Sequence, residues 1–103
     1  MPIPNLTQHN FKEEVLDSER PVLIDFWAPW CGPCLAMAPV VDKIAEKEAH
    51  VKVVKVNVDE QPELSSQFSV MSIPALVVMK EGRVISHTVG VKSKQAILDM
   101  LDA

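Results

Sequence analysis

Cys31 and Cys34 stand three positions apart in Trp30-Cys31-Gly32-Pro33-Cys34 and are the only thiols in a chain of 103 residues. On a helical turn, positions i and i+3 share a face, so both sulfurs can point the same way and close a small disulfide ring. Opening and closing that ring moves two electrons, and the spacing therefore predicts a dithiol–disulfide redox site. A purely structural bridge fits poorly, because so short a loop constrains the unfolded chain little and a reducing cytosol opposes it. Zinc needs about four N or S ligands. His9, His50 and His87 are instead dispersed over separate predicted elements and read as surface residues. Haem attachment through Cys-X-X-Cys-His fails because residue 35 is leucine. No metal and no cofactor is expected.

The thiols need a scaffold, and the flanking residues predict one. Pro21 opens the run Val22-Leu23-Ile24-Asp25-Phe26-Trp27, apolar on both alternating faces, which marks a central strand covered on each side. After the cysteine motif a long helix is expected to about Glu48, with Ala38, Val41, Ile44 and Ala45 inward and a kink at Pro39. A thiolate at the start of that helix meets unpaired N–H groups and the positive end of the dipole, which stabilises Cys31. Cys34 lies one turn deeper and is expected to be less exposed, so Cys31 attacks and Cys34 resolves. Pro33 pre-sets the helical φ, and Gly32 leaves room for a partner's backbone.

Elsewhere, Thr7 is expected to cap a first helix to about Ser18, with Phe11, Val15 and Leu16 as its apolar stripe. Val51–Val58 reads as a second strand, completing a βαβ unit. Pro62 suits the first turn of a short helix through Phe68. Ala75–Lys80 and Arg83–Val89 flank Glu81-Gly82 as a hairpin. Gly90 ends its second strand, and Ser93 caps a last helix bearing Ile97, Leu98, Met100 and Leu101. The whole is an α/β fold, a mixed sheet with helices on both faces, as one domain over residues 1–103.

Apolar residues make up 48% of the chain, as in a globular protein. The longest near-apolar stretches, 21–30 and 73–79, fall far short of the ~20 residues needed to cross a bilayer. The N-terminus has neither a basic region nor an apolar core of a secretory signal, so a cytoplasmic location is expected. Net charge is −4 with Lys and Arg scattered, which disfavours nucleic acid and anionic membrane as partners.

Two further residues carry chemistry. Asp25 places a carboxylate within a strand buried on both faces, where ionisation is costly and its pKa should rise; the alternative is an aspartate that reaches water near the strand end. Pro74 interrupts an apolar run, where proline would damage a central strand.

Taken together, these residues resemble the thioredoxin family. Trp30-Cys31-Gly32-Pro33-Cys34 matches its active-site motif residue for residue, with Phe26-Trp27-Ala28-Pro29 before it. Asp25, Lys55, Pro39, Ile73-Pro74, Gly82 and Gly90 also fall where the family has them. The resemblance implies the thioredoxin fold, a sheet of about five strands flanked by about four helices. It further implies a general protein disulfide reductase, an electron carrier recycled by a thioredoxin reductase and acting on proteins with accessible disulfides. A monomer is expected.

By the same resemblance, Asp25 shuttles a proton to and from Cys34, and Pro74 follows a cis bond and faces the disulfide. Gly32, Pro33 and Lys55 tune the redox pair, although Lys55 also reads simply as a lysine at the sheet rim. Trp27 is expected in the core. Trp30, Val58, Met71, Ile73, Pro74, Gly90 and Val91 line a docking groove along which an extended substrate segment adds as a strand. Leu35, Met71 and Ala75 depart from the family's usual basic and threonine residues, leaving that groove largely apolar. A binding module with incidental thiols is the competing reading.

Overall fold

The parity of residues along three strands sorts the apolar side chains into two cores, one on each side of a sheet. The computed structural model describes residues 3–102. Its strands are β1 (Val22–Trp27), β2 (Lys52–Asn57), β3 (Ala75–Lys80) and β4 (Arg83–Val89). They pair in the order β2-β1-β3-β4. β1 and β2 run parallel, while β1–β3 and β3–β4 are antiparallel. On one side, Val22, Ile24, Phe26, Val54, Val56, Ala75, Val77 and Met79 form a buried cluster. It is closed by Leu6, by Val15 of an early helical segment and by Leu64 of α2 (Pro62–Gln67). On the other, Leu23, Val53, Leu76 and Val78 pack with Met37, Val41 and Ile44 of α1 (Gly32–Lys47) and with Ile97 and Leu101 of α3 (Lys94–Leu101). The doubly apolar pattern of β1 thus reflects a strand with helices over both faces.

The mixed sheet flanked by helices is as expected, with one strand reduced to a remnant. A fifth strand survives only as a parallel bridge between Asn5 and Lys55. Around it the Leu6 N–H donates to the Lys55 carbonyl at 2.7 Å and the Lys55 N–H to the Pro4 carbonyl at 3.0 Å. Pro4 has no N–H to extend the ladder.

The first helix is shorter than expected and differently wound. Thr7 does cap, but it caps a turn: its N–H donates to Asn10 Oδ1 at 2.7 Å and its Oγ1 accepts from the Asn10 N–H at 3.3 Å. The helix proper is a π-helical segment, Lys12–Leu16, closed by the Asp17 N–H on the Lys12 carbonyl at 2.9 Å. Wider winding turns the stripe, so Val15 is buried and Phe11 packs partly, whereas Leu16 is 43% exposed. An ion pair of 2.9 Å between Lys52 and Glu14 ties this segment to β2.

In α1 the buried row is Cys34, Met37, Val41 and Ile44. Met37 therefore occupies the place expected of Ala38, and Ala38 and Ala45 lie at the half-buried margin. The helix continues through exposed Pro39, whose missing N–H leaves the Leu35 carbonyl without its helical donor on the solvent side. The β3–β4 hairpin turns at Glu81 (φ 51°) and Gly82 (φ 77°), both left-handed, the conformation that matches the twist of two antiparallel strands. Ser93 caps α3 as expected, its Oγ accepting from the Ala96 N–H at 3.1 Å.

Candidate active site

The chain leaves β1 at Trp27, turns through 28–30, and enters α1 with Cys31 as the N-cap. Gly32 and Pro33 follow in the first turn, where a proline loses no helical bond. Cys31 and Cys34 are joined by a disulfide, with their Cα atoms 5.2 Å apart. The Cys34 N–H donates to Cys31 Sγ at 3.2 Å, so one otherwise unpaired amide of the helix start is aimed at that sulfur. Exposure does not distinguish the two cysteines, at 5% and 3% in the disulfide form. Position does: Cys31 sits before the helix, and Cys34 begins its buried row. A Cβ at Gly32 would meet nothing within 4 Å, which makes this turn open to an approaching chain.

Asp25 shares strand parity with Leu23 and therefore belongs to the face that α1 covers. It is only 3% exposed, and Oδ1 has no hydrogen-bond partner. Burial pushes its carboxyl up to about 6, against the pull of the Lys55 charge and with a smaller push from Asp42. Lys55 lies opposite Asp25 in the β1–β2 register. Its Nζ is 3.7 Å from Asp42 Oδ1 and 5.8 Å from the centre of the Trp27 ring. Trp27 is half-buried against the cysteines, with its Nε1 unpartnered.

Around the disulfide, Ala28, Cys31 and Cys34 form a small buried cluster, against which Trp27, Val58 and Ile73 pack. The Ile73–Pro74 peptide is cis, and Pro74 is buried. The Gly90 N–H donates to the Pro74 carbonyl at 2.8 Å, with Gly90 at φ 97°, so this glycine links the end of β4 to the start of β3. The rim is apolar and open: Trp30 is 68% exposed, Leu35 50%, Val91 55% and Met71 94%. Trp30 Nε1 donates to Asp59 Oδ2 at 2.7 Å.

Sequence reasoning missed Asp42 and Asp59. Each meets its partner across elements far apart in the chain, and neither spacing nor residue type signals such a pairing. Among the described residues, no three or more His, Cys, Asp or Glu side chains come together to hold a metal ion.

A disulfide at a helix N-terminus, with Ile73 of a cis Ile73–Pro74 peptide packed against it, on a βαβ unit of a mixed sheet whose first strand buries a carboxyl, defines a dithiol–disulfide oxidoreductase. Comparison with known proteins narrows the class. The family model described as Thioredoxin matches residues 2–103. Thioredoxin 1 of a Nostoc species is 51% identical over 98 residues, covering 94% of this chain and 92% of its own. A Synechocystis thioredoxin is 50% identical over 100 residues, covering 96% and 94%. Among solved structures, a mutant thioredoxin from Halobacterium salinarum superimposes with a TM-score of 0.89 at 34% identity, covering 98% of this chain and 88% of that one. The chain belongs to the thioredoxin family, and its Cys31–Cys34 pair performs dithiol–disulfide exchange.

Proposed function

We propose that this chain is a general protein disulfide reductase in which Cys31 attacks and Cys34 resolves. The observation that carries the order is the Cys34 N–H on Cys31 Sγ, which favours negative charge on the N-cap sulfur once the pair is reduced. The Cys31 thiolate displaces one sulfur of a target disulfide, forming a mixed disulfide and releasing the first target thiolate. Cys34, its proton taken by Asp25, then attacks Cys31 Sγ and expels the second. The target gains two electrons and two protons, and Cys31–Cys34 is left oxidised. A thioredoxin reductase supplies two electrons and two protons to regenerate the dithiol. No step requires a bound cofactor in this chain.

The substrate segment lies along Ile73-Pro74, with Trp30, Val58, Met71, Gly90 and Val91 as the residues that line its groove. Gly32 and Pro33 shape the turn that presents Cys31, and Lys55 tunes Asp25. Among the described residues no helix is long and apolar enough to cross a membrane. We place the protein, as a monomer of one domain, in the reducing cytoplasm, where a dithiol carrier operates as a reductant.

Cys34→Ser tests the assignment. The variant should accumulate protein partners disulfide-linked to Cys31, releasable by dithiothreitol, while Cys31→Ser accumulates none. Trapping through Cys34 alone would reverse the roles. The exposed apolar rim also suits a binding module. A double Cys31→Ser, Cys34→Ser variant that kept both its partners and its cellular effect would establish that reading instead.

A further inference from the structure

Lys55 is the cation whose charge acts on the buried Asp25, yet its ammonium is paired with another carboxylate. The two residues are paired in register on neighbouring parallel strands, and both have the strand parity of the face under α1. An unrestrained lysine there would satisfy the Asp25 carboxylate directly. Instead Lys55 Nζ is 3.7 Å from Asp42 Oδ1, on the second turn beyond Cys34, and lies over the Trp27 ring. The Lys55 side chain is 19% exposed and that of Asp42 59%, so the pair bridges the buried face and solvent. Asp25 Oδ1 is left without a hydrogen bond.

We infer that Asp42 is a positioning residue for the redox reaction: it draws the Lys55 ammonium toward the α1 rim and so keeps Asp25 protonated at higher pH than the lysine alone would allow. The inference rests on the reading of Asp25 as the group that takes the Cys34 proton. A carboxyl with a strongly paired lysine would stay ionised and be a weak base. One whose lysine is held back has a proton affinity suited to exchange near neutrality. The charged and titratable groups around Asp25 are few. From β2 comes Lys55, and from α1 comes Asp42. The β3 residue opposite is Leu76, which carries no charge.

Asp42→Asn removes the anchor without changing the size of the side chain. Both consequences, release of Lys55 toward Asp25 and loss of a negative charge, act in one direction. The Asp25 midpoint, followed by carboxyl-carbon NMR in the full-length oxidised protein, should fall by roughly half a unit or more, the size expected of one charge near a protein surface. Asp42→Glu should restore it. In a Lys55→Met background the Asp42→Asn shift should shrink by at least half, because only the direct charge remains. A midpoint unmoved by Asp42→Asn, or moved equally with and without Lys55, overturns the inference.

Resolution of a preformed Cys31 mixed disulfide by Cys34 is measured in parallel against pH. If the Asp25 midpoint moves as stated and the rate profile moves with it, both the positioning role and the proton-acceptor reading hold. If the midpoint moves while the rate profile does not, Asp42 still positions Lys55, and the proton-acceptor reading of Asp25 is what fails.

Discussion

The amide of Cys34 donates to Sγ of Cys31 at 3.2 Å, and through that one contact the first turn of α1 favours one sulfur over the other. In the disulfide the two cysteines are equally hidden, so access does not rank them. After reduction, the sulfur ahead of the helix keeps the amide and the dipole, while Cys34 has the buried row of the helix around it.

Alkylation of the reduced protein should therefore be selective. With substoichiometric iodoacetamide at pH 7, Cys31 is expected to be modified about tenfold faster than Cys34, from the roughly 1–2 kcal/mol that a helix terminus and one N–H donor lend an anion. Peptide mass spectrometry reads the ratio. Equal labelling would remove the electrostatic basis for the order of attack.

Met71 is the most exposed large apolar side chain of the rim, and burying it on a docked partner should contribute measurably. Met71→Ala is expected to lower kcat/KM for a protein disulfide about fivefold, from roughly 1 kcal/mol of lost apolar burial, chiefly through KM. Insulin reduction over a range of insulin concentrations separates the two constants. A pure loss in kcat would place Met71 in the chemistry rather than in docking.

Much of this site was legible because its parts are local. Cys31, Gly32, Pro33 and Cys34 are contiguous, and the doubly apolar run around Asp25 announces a covered strand whatever the rest of the fold. The Glu81-Gly82 turn and the Ser93 cap are also properties of a few adjacent residues. What escaped depends on how distant elements meet. The π-helical winding of Lys12–Leu16 sends Leu16 outward although its periodicity fits an α-helical stripe. The inward row of α1 is set by Cys34 against the sheet, which selects Met37 over Ala38. Asp42 and Asp59 acquire meaning only when Lys55 and Trp30 arrive beside them.

The hairpin turn offers a test of local conformation free of the active site. Glu81 holds φ at 51°, a left-handed conformation that asparagine adopts far more readily than glutamate. Glu81→Asn should stabilise the protein by about 0.5–1 kcal/mol, since relief of an unfavourable backbone conformation is a folded-state gain. Urea denaturation with an unchanged m-value would show it. A lower midpoint would mean that the glutamate side chain contributes more than its backbone conformation costs.

Asp25 couples the site to stability through its proton. Burial holds its carboxyl at about 6 in the folded protein, against an ordinary value of 3.8. Between those values the native state binds more protons than the unfolded chain, so stability falls as pH rises from about 4 to about 6 and is independent of this group above and below. A displacement of that size corresponds to about 3 kcal/mol, an upper figure for a group that relaxes on ionising. Asp25→Asn has no charge to bury. The oxidised variant should match the wild type near pH 3 and exceed it by up to about 3 kcal/mol at pH 8, with the gap opening across that same window. Urea unfolding at a series of pH values measures the gap directly, and curves that stay parallel from pH 3 to 8 would show that Asp25 ionises in the folded protein as it does in water.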